Sequence, residues 1–234
     1  LSLDQFLLLG SIVIPAFVSF LLFVGFGNTD SFAKKLAYVA FTFPFLAGIL
    51  LFVRFEEGAN GYAFEFLCTG MGLQELKIHF HLGLNGVSSP LFAMAGIVGL
   101  AAGLAAINSG AERIRLYLAL LSLMQAGLMG VFASVDLFFY YLFHEFALIP
   151  TFIMIGLWGG RDRRSVALEI TIYLTLGALL SLAGLVAINT FVDAESFDFP
   201  SLSIALAESN LFESTKSKIF GFLLIGFGIL VALF

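Results

Sequence analysis

The feature that most constrains this chain is a succession of apolar runs of about 20 residues parted by charged turns and loops. A helix needs that length to cross the hydrocarbon of a bilayer. Lipid offers peptide groups no water, so each run must satisfy its own amides as a helix. Seven such segments are expected, at about 6–26, 36–53, 87–107, 114–133, 135–158, 166–192 and from 219 onward. The expected fold is therefore all-α, a polytopic transmembrane bundle of about seven helices. The 60% apolar content, with 29 phenylalanines, suits lipid-facing helix surfaces. No stretch resembles a basic nucleic-acid surface. The single cysteine, Cys68, excludes an intramolecular disulfide and a thiolate metal cluster, and reads as a small apolar residue in a loop.

Loop charges set the expected orientation. The turns after the first, third and fifth segments hold Lys34, Lys35, Arg113, Arg115, Arg161, Arg163 and Arg164. The opposite side holds only Arg54, Lys77, Lys216 and Lys218. Basic turns stay inside, so the N-terminus is expected outside. The acids agree with this: Glu56, Glu57, Glu65, Glu75, Asp193, Glu195, Asp198, Glu208 and Glu213 all fall in the two long outer loops.

The first outer loop ends in Lys77-Ile-His79-Phe-His81-Leu-Gly-Leu84, whose alternation predicts a short strand, with His79 and His81 pointing the same way. Two histidines without a third ligand nearby read as surface residues. In the second outer loop, 203–207 reads as an amphipathic piece at the interface. Ala95, Gly99 and Gly103 in the third segment make a small-residue stripe that lets a neighbouring helix approach. Thr171, Tyr173, Thr175 and Ser181 in the sixth either bond back to their own helix or line a hydrated path.

The fifth segment carries a carboxylate, Glu145, at membrane depth, with His144 beside it and Pro150 five residues on. An ionisable group there costs several kcal/mol and marks a functional site by default. Helical geometry groups Glu145 with Phe138, Tyr141, Leu148, Ile149 and Phe152, while His144 points about 100° away. Pro150 lacks an amide hydrogen, which frees the carbonyl of Phe146. A free acceptor beside a carboxylate invites water, and a changeable neighbour would shift that carboxylate between proton-bound and free forms. Glu145 is thus the candidate proton site, His144 the candidate relay partner and Pro150 the structural residue of the kink.

The residues Asp136-Leu-Phe-Phe-Tyr-Tyr-Leu-Phe-His-Glu145-Phe-Ala-Leu-Ile-Pro150, followed by Gly156-Leu-Trp158-Gly159, resemble the fifth helix of the antiporter-like membrane subunits of NADH:quinone oxidoreductase, or complex I, in particular the chain 4 (subunit M) family. His81-Leu-Gly-Leu-Asn85-Gly-Val-Ser88 resembles the motif before that family's third helix, where an Asp is usual at the place of Asn85. The last residues resemble its seventh helix. The resemblance implies the first half of a fourteen-helix antiporter-like fold. It implies a membrane-arm subunit that conducts protons, coupled to electron transfer from NADH to quinone in other subunits. No cofactor is implied in this chain; NADH, FMN, iron–sulfur clusters and quinone belong elsewhere in the complex. The implied partners are other membrane-arm subunits, the lipid bilayer and protons, with no nucleic acid. The implied location is the bacterial cytoplasmic (inner) membrane or an organellar inner membrane.

On this resemblance residues 1–112 hold the first three helices, with the outer loop near 54–86, and 113–234 hold antiporter-like helices four to seven, the first half-channel. The run that begins near Ile219 stops at Phe234 after about 16 residues, and the chain starts at Leu1, so a piece of a longer protein or a split gene is expected. Glu145 falls on the family's channel glutamate, whose usual partner is a lysine on helix seven. Here Leu230 or Ile229 stands at that place, and no Lys lies between Ile219 and Phe234. Lys216 and Lys218 lie at the helix mouth. Two alternatives stay open: a subunit of a multisubunit cation/proton antiporter, and a non-conducting scaffold in such a complex.

Overall fold

The structure, a computed structural model, describes residues 2–26, 29–56, 58, 61–68, 77–192, 196–208 and 213–230. Among these residues eight helices form, α1 (Leu3–Val24), α2 (Asp30–Val53), α3 (Ser88–Asn108), α4 (Ile114–Ala133), α5 (Leu137–Trp158), α6 (Arg163–Val192), α7 (Phe199–Glu208) and α8 (Glu213–Leu230). Two strands, β1 (Ala63–Cys68) and β2 (Phe80–Leu84), pair in one small sheet. Helices α1 to α6 are long and apolar enough to cross a membrane. The chain divides into two compact units. The first comprises 1–67, 81–135 and 139–154, and the second comprises 68–80, 136–138 and 155–234.

In the first unit, α1 starts at a reciprocal cap. Ser2 accepts from the Gln5 amide at 3.2 Å, and the Gln5 side chain accepts from the Ser2 amide at 2.9 Å. It ends at Gly25, whose φ of 80° is the left-handed turn that only glycine enters freely. Val18, Leu22, Ala37, Phe41, Ile107 and Leu118 form the core among α1 to α4. The stripe on α3 does what small residues allow. Beside the stripe, an added Cβ at Gly96 would lie 2.8 Å from the Pro44 carbonyl of α2. At Gly99 it would meet the Gln125 side chain, and at Gly103 the Phe41 ring. Gln125, fully buried on α4, donates to the Ala95 carbonyl at 3.3 Å. Ser19 of α1 likewise donates to the Ala119 carbonyl of α4 at 2.8 Å. Polar side chains thus join helices where an unpaired group in lipid would be costly.

Asn85 organises the entry to α3. Its side-chain oxygen accepts from the Val87 and Ser88 amides at 3.0 and 2.7 Å, and Ser88 accepts from the Asn85 amide at 3.0 Å. Capping asks only for an acceptor, so Asn serves where the resembled family usually has Asp. The expected strand begins at Phe80, so His79 stands before it. Cys68 is not in a loop: it is the last residue of β1, half-buried, because 63–68 finds a strand partner in β2. Of the outer-loop acids, Glu57, Glu75, Asp193 and Glu195 lie outside the described residues.

In the second unit, α6 and α8 cross at small residues. An added Cβ at Gly226 would lie 2.6 Å from the Ser181 amide nitrogen, and one at Gly184 2.7 Å from Leu223. Leu137, Leu185 and Leu202 form a core with Ile188, Phe197 and Leu223 around them. The amphipathic piece expected at 203–207 extends to the ten residues of α7. Helix α8 begins six residues before Ile219, so Lys216 and Lys218 sit within its first two turns. Thr171 bonds back to the Ala167 carbonyl at 2.6 Å, and Ser181 is buried beside Gly226.

Candidate functional site

Helix α5 runs unbroken through Pro150, and its middle lies in the first unit. Two glycines of α4 bring the helices together there. A Cβ at Gly127 would sit 2.6 Å from the Ala147 nitrogen and 2.8 Å from the Phe143 carbonyl oxygen. Gly130 faces the Phe143 ring, which is buried and packs edge-on to Phe146 at 6.3 Å. Backbone contact therefore falls on 143–147, the turn that carries His144 and Glu145. Below it, the Thr151 hydroxyl donates to the Ala147 carbonyl at 2.8 Å and lies 3.5 Å from the Met124 sulfur. Pro150 is buried.

Glu145 itself is half-buried. Tyr141, one turn earlier on the same helix, lies within electrostatic range of its carboxylate. His144 is half-buried and within electrostatic range of the same carboxylate. A carboxylate, a phenol and an imidazole on adjacent positions make a group that can hold and pass a proton. Only 11% of the apolar window of α5 is buried by this chain, against 61% for α4. Among the described residues, most of α5 is thus left uncovered.

Sequence reasoning gave Asp136 no role, yet it is fully buried at the start of α5, in the second unit. One oxygen accepts from the Phe138 amide at 2.8 Å, an N-cap bond, and the other from the His79 amide at 3.2 Å. Next to it the Leu137 amide donates to Phe197 at 3.0 Å. An Asp just ahead of an apolar helix was the available signal. Removing it leaves two amides without acceptors. Asp136→Ala should lower stability by roughly 2 kcal/mol and speed hydrogen exchange at the Phe138 amide. Unchanged exchange at that amide would refute the cap.

The two histidines do not act together. In the first unit His81 Nε2 lies 3.7 Å from a Glu65 carboxylate oxygen, while His79 meets Asp136 in the second through its backbone. Among the described residues no three His, Cys, Asp or Glu gather as a metal site. Of Leu230 and Ile229, the two residues expected where the resembled family has its lysine, Ile229 is buried against Gly177 of α6.

The transmembrane family described as NADH:quinone oxidoreductase/Mrp antiporter matches residues 134–234. The chain is 34% identical over 208 residues to NADH-quinone oxidoreductase subunit M of Rhodobacter capsulatus, covering 86% of this chain and 39% of that protein. It is 29% identical over 199 residues to subunit M of Rickettsia prowazekii, covering 83% and 40%. It superposes on a chain of respiratory complex I from Thermus thermophilus with bound NADH, with TM-score 0.79 and 25% identity, over 94% of this chain and 43% of that one. The Mrp complex from Dietzia shares the fold, with TM-score 0.72 and 10% identity, over 94% of this chain and 23% of that one. The class these matches define is an antiporter-like integral membrane subunit. Within that class, the chain is homologous to the N-terminal part of NADH-quinone oxidoreductase subunit M. It spans about two fifths of the length of the curated relatives it matches.

Proposed function

We propose that this chain is the first half of a proton-conducting membrane-arm subunit of NADH:quinone oxidoreductase, with Glu145 as the protonatable channel site. The reading rests above all on one observation: a carboxylate within a membrane-spanning helix, one residue before the carbonyl that Pro150 leaves without its helical donor and with Tyr141 one turn away. A carboxylate in that position can bind a proton and release it. His144 is the nearest group to exchange that proton with Glu145. Residues 113–234 carry this half-channel, and 1–112 flank it. Electron transfer from NADH to quinone, with FMN and iron–sulfur clusters, belongs to other subunits of the complex. The chain lies in a bacterial cytoplasmic or organellar inner membrane with its N-terminus outside, and its partners are the neighbouring membrane-arm subunits, lipid and protons.

A second reading, a non-conducting scaffold, is favoured because both Leu230 and Ile229, at the expected lysine position of α8, are apolar, and Ile229 packs on Gly177. Under the conducting reading the cation opposite Glu145 comes from outside the described residues. A third reading is a cation/proton antiporter subunit. Sealed vesicles bearing the assembled complex separate the third reading from the first. On NADH they should move protons at the same initial rate with and without sodium. A requirement for sodium would overturn the proton-only reading in favour of antiport.

A further inference from the structure

We infer that a pocket at the ends of α1, α2 and α4 holds the phosphodiester headgroup of an anionic phospholipid, anchored by Arg113. The cavity measures about 490 Å³ and lies wholly within the first unit. Leu22, Phe23 and Leu116 give it an apolar wall, while Asp30, Arg113 and Arg115 give it charge. Arg115 Nε stands 3.6 Å from Asp30 Oδ1, so those two charges offset each other. Arg113 is exposed and has no ion-pair partner among the described residues. Lys34 lies one helical turn along α2 from Asp30, with Lys35 beside it, and Glu112 precedes Arg113. The pocket itself is lined by two cations, Arg113 and Arg115, and one acid, Asp30, which suits an anion.

The apolar wall selects a lipid over a soluble anion. The pocket opens where three membrane-spanning helices end, at the level of headgroups. Phe20 and Phe23, neighbours on one side of α1, are 61% and 49% exposed and continue the wall along the helix toward the hydrocarbon. A phosphodiester oxygen on the Arg113 guanidinium would leave an acyl chain lying along these rings. Arg is suited to that role because its planar fork meets two phosphate oxygens at once. Arg113 keeps this place although its φ of 55° is a left-handed conformation that a glycine would adopt without strain. The site is independent of which ion the protein moves.

The test uses the full-length protein in its assembled complex with a photoactivatable phosphatidylglycerol, the cross-linked peptides being mapped by mass spectrometry. Cross-links are expected at 20–26 and 111–116, displaced by phosphatidylglycerol and not by phosphatidylcholine. Arg113→Gly removes the charge while relieving the backbone, so it should fold and bind about tenfold more weakly or worse. Arg113→Lys should bind within a few-fold of wild type, and Arg161→Gln should bind as wild type. Equal displacement by phosphatidylcholine, or undiminished cross-linking in Arg113→Gly, overturns the site. Displacement by inorganic phosphate as effective as by phosphatidylglycerol overturns the lipid as its occupant.

Discussion

Replacing Glu145 with glutamine should cut NADH-driven proton uptake by about tenfold or more while leaving the complex assembled. Glutamine has nearly the same shape. The α4–α5 contact at Gly127 and Gly130 does not involve its side chain. What is lost is the ability to ionise. On the proposed mechanism every proton crossing this half-channel binds Glu145 and leaves it, so a side chain that cannot do so stops the path. The measurement is dye-monitored proton uptake by inverted vesicles, set against NADH oxidation in the same preparation. Glu145→Asp keeps the charge on a shorter arm and should retain part of the activity. A glutamine variant that assembles and moves the wild-type number of protons per NADH would show that protons pass elsewhere, and the scaffold reading would take over.

The second large effect is steric. Gly127→Leu should destabilise the subunit by about 3 kcal/mol or more, enough to deplete it from the membrane. The Cβ alone would lie 2.6 Å from the Ala147 nitrogen and 2.8 Å from the Phe143 carbonyl oxygen. Both are backbone atoms of a helix, so no rotamer change relieves the clash. The helices must part, and the Phe143 ring then loses its seat on Gly130. Gly156→Ala is the control. Its nearest neighbour in the second unit is the Ala167 methyl at 3.6 Å, an ordinary contact, so it should be neutral. The two variants are compared by thermal stability in detergent and by the amount of subunit in membranes. Equal stability of Gly127→Leu and wild type would mean that α4 and α5 do not meet as described.

Much of the fold was legible because membrane crossing is a local criterion. About 20 apolar residues satisfy their own hydrogen bonds and prefer lipid whatever else surrounds them. For that reason α4 spans Ile114–Ala133, the range the apolar pattern predicts, and α5 ends at Trp158 as expected. The ends beside polar residues were less legible. Helix α8 takes in Lys216 and Lys218 because a charged first turn still forms helix outside the hydrocarbon, where hydropathy gives no signal. The strand at 80–84 was visible in its alternation, but its partner at 63–68 was not, since strand pairing depends on residues far along the chain.

The same division runs through the candidate site. Sequence alone determined that Glu145 and Pro150 lie on one membrane helix, because apolar length and helical spacing fix both. Only the tertiary structure decided that Gly127 and Gly130 press α4 onto the turn carrying Glu145, and that Ile229 is packed on Gly177. It also decided that Asp136 is buried as the cap of α5. Each of these depends on which backbone comes within a few ångströms of which side chain. That proximity is set by close packing between segments distant in sequence, and no local pattern encodes it.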